Sequence, residues 1–224
     1  RPIAALLAVV ALAAAPAVAR ASQSGGLAVP LGPGKFALSA TVGYGERDVE
    51  DGRGDEVTSR RMLFRGQIGI LDGLDLYATL GFGDLEFDRV DFQGSLGEDL
   101  GIGLRYGLLN FPEQSMKLVT DLQAEYLRSE DGSRKVERMG YHAALYLVRE
   151  MGAAGRVGYF YPFGGLRFSY AHYELNQGID DYSSDNFLGV FGGADYFVTP
   201  NVFFSGELHL FDENGLYLGV GYRF

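Results

Sequence analysis

The sequence predicts an all-β fold, a transmembrane antiparallel up-and-down β-barrel of about ten strands, with eight as the alternative count. Three observations carry this. From Lys35 to Phe224 apolar residues alternate with small or polar ones in segment after segment, with turn signals between. Beyond the first 21 residues no apolar run approaches the roughly eighteen that a membrane-crossing helix requires. The non-apolar face is rich in glycine with isolated charges between, which suits a crowded concave interior better than a water-facing sheet.

The elements follow in order. Arg1-Pro2 precedes an apolar run from Ile3 to Ala15, and both Ala17-Val18-Ala19 and Ala19-Arg20-Ala21 fit the small-residue rule for signal cleavage. Residues 1–21 therefore read as a secretory signal peptide with a truncated start; the run is short for an anchor helix. Residues 22–34 are Gly/Pro-rich without periodicity and read as a flexible periplasmic leader. Residues 35–224 form the barrel domain.

Strand one (about 36–47) sets Phe36, Leu38, Ala40, Val42 and Tyr44 against Ser39, Thr41, Gly43 and Gly45. Strand two (59–70) sets Met62, Phe64, Ile68 and Ile70 against Arg61, Arg65 and Gln67, and Asp72-Gly73 makes a tight turn. Strand three (74–85) and strand four (94–107) repeat the pattern, Leu76, Leu80, Leu100 and Ile102 opposing Asp75, Thr79, Gly101 and Arg105. Strand five (116–128) places Leu118 and Leu122 against Lys117, Asp121 and Glu125. Strand six (135–149) places Met139 and Leu145 against Arg138 and His142. Strand seven (157–174) is less regular near Pro162, and strand eight (186–197) is ambiguous in phase. Strand nine (202–211) opposes Phe204 and Leu208 to Glu207 and His209. Each segment is long enough, tilted about 45°, to cross a bilayer. Charges on the apolar phase (Arg60, Asp84, Glu86, Glu98, Arg149) fall at segment ends, where charge costs little in a membrane; a soluble sandwich has no reason to obey that rule.

The tenth segment is the most specific. Leu216, Leu218, Val220, Tyr222 and Phe224 share one face, and the chain printed here stops on the aromatic. This pattern resembles the closing strand of bacterial outer-membrane β-barrels, and the whole of 35–224 looks most like the small outer-membrane protein A-like and X-like barrels and their porin-like relatives. The resemblance implies residence in the cell outer membrane after export and contact with its lipid and lipopolysaccharide. It also implies a monomer, and a terminal signal, Tyr222 and Phe224, that is read by the barrel-assembly machinery.

Composition narrows function. The formal net charge of −10 makes a nucleic-acid partner a poor fit, and without cysteine there is neither a disulfide nor thiolate chemistry. The proposed lumen carries Arg61, Arg65, Arg105, Lys117, Arg138, Arg167 and Arg223 against Asp75, Asp99, Asp121, Glu125, Asp195 and Glu207, with His142 and His209 on the same phase. A barrel this narrow is barely wider than its side chains, so these groups are expected to pair and fill it. The expected role is a structural or surface-interaction barrel with a mostly occluded polar lumen. A small passive pore for ions and small solutes is the alternative. The third reading is an omptin-like or lipid-modifying enzyme, for which His172 with Asp180 or Asp181 offers the nearest constellation, though no motif carries it. No catalytic residue, cofactor or metal site is assigned.

Overall fold

A computed structural model describes residues 26–50, 55–87, 91–152, 158–176 and 182–224. The strands are β1 Phe36–Glu50, β2 Asp55–Leu71, β3 Leu74–Phe87, β4 Phe92–Gln93, β5 Gly97–Phe111, β6 Met116–Asp131, β7 Arg134–Arg149, β8 Met151–Gly152, β9 Tyr159–Leu175, β10 Tyr182–Ser184, β11 Leu188–Phe197, β12 Val202–Leu210 and β13 Asn214–Arg223. Ten of them close a ring, β1-β13-β12-β11-β9-β7-β6-β5-β3-β2, which returns to β1. Every pairing is antiparallel, and consecutive long strands are neighbours throughout. The ring has ten members, and each of its strands corresponds to a segment read from the alternation. The ambiguous eighth segment resolves with Leu188 and Tyr196 outward and Asp195 and Phe197 inward.

The burial is inverted relative to a water-soluble protein. Leu80, Leu100 and Leu218 are 60%, 50% and 52% exposed, while Asp75 and Asp99 are 0% and 1% exposed. Apolar side chains cover the outer wall and charged ones fill the inside, the opposite of a sandwich, whose buried faces are apolar. An outside of this kind is stable in hydrocarbon, and closure satisfies the backbone because no strand edge is left unpaired. The fold is that of the bacterial outer-membrane β-barrels. Among the described residues no helix is long and apolar enough to cross a membrane, and a barrel crosses with strands.

The two ends of the cylinder differ. One, here the terminal end, carries residues 26–36, the Asp72-Gly73 turn, a 3₁₀ turn at Pro112–Gln114 and Phe224. The other, the loop end, carries the β6–β7 and β12–β13 connections. On the loop side β11, β12 and β13 are short, and β10 spans the gap by pairing with both β9 and β1. With the β3–β4 pairing and the Ser95–Glu130 bridge, this produces a narrower collar above the ten-stranded ring, made of β1, β2, β3, β4, β6, β7, β9 and β10.

The stretch expected as a flexible leader is, over residues 26–34, packed inside the terminal end. Leu27, Ala28 and Leu31 are buried against inward-facing side chains of the ring. Its Gly/Pro content and lack of period suggested a free segment, but its apolar residues meet an apolar patch on the lumen wall. Residues 1–25, including the expected signal peptide, lie outside the described residues, as do Asp180 and Asp181.

Candidate functional site: a filled lumen

Alternation along each strand sends every second side chain inward, and the lumen is what those side chains build. Nearest the loop end sits an apolar cap. Val49, Val57, Leu85, Phe87, Phe92, Leu127, Val136, Ala171, Tyr173, Leu175 and Tyr182 form one buried cluster. Phe87 holds it together, with ring centroids 6.0 Å from Phe92, 5.5 Å from Tyr173 and 5.9 Å from Tyr182. The collar encloses this cap, and a ring of about eight strands is narrow enough for its own side chains to fill.

Below it lies a charged layer. Arg61 grips Asp99 with two bonds, Nε to Oδ2 at 2.6 Å and Nη2 to Oδ1 at 2.8 Å, and Glu125 with two more at 3.0 and 2.7 Å. Arg138 reaches the same Glu125 at 3.3 Å. Across the lumen, the β12–β13 connection turns inward and buries Asp212 and Glu213 while Phe211 stays outside. Arg47 donates to Glu213 at 3.0 Å and to the Ser169 hydroxyl at 2.6 Å. Arg167 donates to Asp212 from Nε at 2.7 Å. His209 sits between Arg167 and Glu207, and the Tyr217 hydroxyl donates to Glu213. Fixed, multiply bonded guanidinium–carboxylate sets of this kind offset the cost of removing charge from water, which isolated buried charges cannot do.

Nearer the terminal end the layer becomes mixed. Arg105 donates to Asp121 at 2.7 Å, and the Tyr77 hydroxyl donates to the same carboxylate at 2.5 Å. The Arg65 guanidinium lies 4.0 Å from the centre of the Tyr77 ring. Room for that ring comes from Gly103, its partner across the strand pair: a Cβ there would stand 2.3 Å from Tyr77 Cζ. The glycine-rich polar face of the sequence thus reflects inward aromatics needing a bare neighbour. Between Arg105, Asp121, Gln123, His142, Tyr146 and Glu207 remains a cavity of about 30 Å³, and both ring nitrogens of His142 are unpaired among the described residues.

Of the residues expected in the lumen network, Arg61, Arg65, Asp75, Asp99, Arg105, Asp121, Glu125, Arg138, His142, Arg167, Asp195, Glu207 and His209 are buried there. Lys117 and Arg223 are corrections. Lys117 has the inward phase but lies at the end of its strand, exposed on the terminal rim. Arg223, half-buried, sits at the same rim, donating to the Pro200 carbonyl at 2.8 Å with its guanidinium 4.8 Å from the Phe197 ring. Arg47, Asp212 and Glu213 were not anticipated: Arg47 lay at the end of the first segment, and the two carboxylates lay in an expected turn. Continuing the odd-numbered phase of strand one to Arg47 would have found the first. His172 is on the outer face, 3.6 Å from Glu174, and so does not join His142 and His209. Tyr222 and Phe224 face outward at the seam, where the Phe224 amide donates to the Phe36 carbonyl at 2.8 Å and the Phe36 and Phe224 rings are 5.7 Å apart.

No protein-family model matches the chain, and no curated protein matches it. Solved structures similar to it are all barrels at low identity. The outer membrane protein OprG from Pseudomonas aeruginosa shares 13% identity over 87% of this chain and 98% of its own, with a TM-score of 0.43. The translocator domain of the autotransporter NalP from Neisseria meningitidis shares 12% over 86% and 89%, with a TM-score of 0.46. The outer membrane protease OmpT from Escherichia coli shares 12% over 90% and 99%, with a TM-score of 0.45. The architecture assigned above rests on this chain's own closed ring and inverted burial.

Proposed function

We propose that this protein is an integral outer-membrane barrel that does not conduct, and that its role is structural and surface-interacting. The observation that carries the reading is the filling of the lumen at three successive levels: the aromatic cap, the arginine–carboxylate layer and the segment 26–34. The cavity that remains, about 30 Å³, has room for a water or two and no more. The apolar outer wall supports residence in lipid. Above it the outer face carries charged pairs, Arg60 with Asp84 and Glu86 at 3.6 and 3.1 Å, suited to a polar headgroup or lipopolysaccharide layer. Export by a cleaved leader, recognition of Tyr222 and Phe224 by the assembly machinery and a monomeric state belong to the same proposal. We assign no catalytic role.

The test is single-channel recording of the purified, folded protein in planar bilayers. Silence at all voltages is the expected result. Reproducible conductance steps, correlated with the heat-shifted folded band on a gel, would reverse the reading in favour of a small pore.

A further inference from the structure

The charged residues of the lumen divide into two groups. Asp99, Asp121, Glu125, Asp212 and Glu213 each lie within 4 Å of an arginine. Asp75 and Asp195 have no ion pair among the described residues. Each instead accepts a backbone amide from the segment 26–34: Leu31 N–H to Asp75 at 2.8 Å and Ala28 N–H to Asp195 at 2.7 Å. A third backbone bond completes the grip, the Tyr146 hydroxyl donating to the Ala28 carbonyl at 2.8 Å. These contacts read main chain and not side chain, as in recognition of an extended peptide.

Side-chain recognition comes from a separate feature. Phe197 and Phe203 point inward on a phase that is otherwise polar, and with Ala37 they form a socket that takes both Leu27 and Leu31. Gly69 of the wall passes so close to the segment that a Cβ there would stand 1.8 Å from the Gly32 carbonyl oxygen. The segment is then pinned at the rim, with Gly34 N–H donating to Gly69 O at 2.8 Å and Gly69 N–H to Lys35 O at 2.9 Å.

We propose that the terminal half of the lumen is a binding site for an extended apolar peptide with two leucines four residues apart. Asp75, Asp195 and Tyr146 grip its backbone, the Phe197–Phe203 socket takes its leucines, and residues 26–34 are its resident occupant. Because the aromatic cap closes the other end, the site is blind: a peptide enters and leaves on the terminal side only. A free peptide of the same pattern competes for the site whenever the resident segment is out.

The chain has no cysteine, so a thiol introduced by Ala28→Cys reports the segment in the full-length protein. In folded protein in detergent micelles that thiol is expected to resist a small maleimide, and to react once Leu27→Asp and Leu31→Asp are added. A fluorescent synthetic peptide spanning residues 26–35 is then expected to bind the released barrel without the Ala28→Cys change, and not the unaltered one. Binding should weaken about tenfold or more when Asp75→Ala and Asp195→Ala are added, since each removes a hydrogen bond to a charged group. A peptide with both leucines replaced by aspartate should not bind. The proposal is overturned if the released barrel, still heat-shifting as a folded species, takes up no peptide or takes up both peptides equally. It is also overturned if the thiol reacts freely in the unaltered barrel, or stays protected after the two aspartates are introduced.

Discussion

The loop half and the terminal half of this lumen solve one packing problem in two ways. In the loop half the wall narrows to the collar, and side chains from the strands meet one another directly: Phe87 touches Phe92, Tyr173 and Tyr182 without help. In the terminal half the ring keeps its full ten strands, and the wall's own side chains leave a gap as wide as an extended chain, which residues 26–34 fill. Barrel diameter grows with strand number, so two extra strands separate a self-filling cylinder from one that needs a filler. The charged layer lies between the two halves.

The sharpest way to break the comparison is at that boundary. Arg61→Leu removes the partner of both Asp99 and Glu125 and leaves two carboxylates buried, which should cost about 4–5 kcal/mol. Urea unfolding in detergent, followed by loss of the heat-shifted band, measures it; a midpoint unchanged from the parent would show that the layer is not structural. Next is the loop half. Phe87→Ala opens a void in a cap with no mobile neighbour, at about 3–4 kcal/mol by the same assay. The smallest effect belongs to the terminal half. Leu31→Ala should cost about 2 kcal/mol, because a segment attached at one side can shift to refill the space. If the two halves lost equal stability, the distinction between self-filled and inserted packing would fail.

Strand count and phase were legible because a membrane barrel states its period twice, once in the lipid-facing residues and again in the lumen-facing ones. Strand eight looked ambiguous only because Phe191 and Phe197 are apolar residues facing inward, where they pack on the inserted segment and its socket. The lumen charges were legible for the same reason wherever they sat mid-strand. Lys117 and Arg223 obeyed the phase but not the depth: at a strand end the inward direction opens onto the rim. Asp212 and Glu213 escaped because a connection has no period, and only the closed tertiary structure shows that this one folds into the barrel. The insertion of 26–34 was illegible for a related reason. Its recognition is mostly of backbone, which every sequence shares, and its two leucines carry no period by themselves.

The seam where β1 meets β13, with ten residues of one paired to ten of the other, has a consequence for how the molecule is born. A cylinder whose first and last staves are neighbours has no shorter version of itself: with any stave absent, two rows of amides and carbonyls face lipid without partners. Assembly is therefore all or nothing at the moment of closure, and whatever is to lie within must be inside by then or be threaded in afterwards from the single side left open.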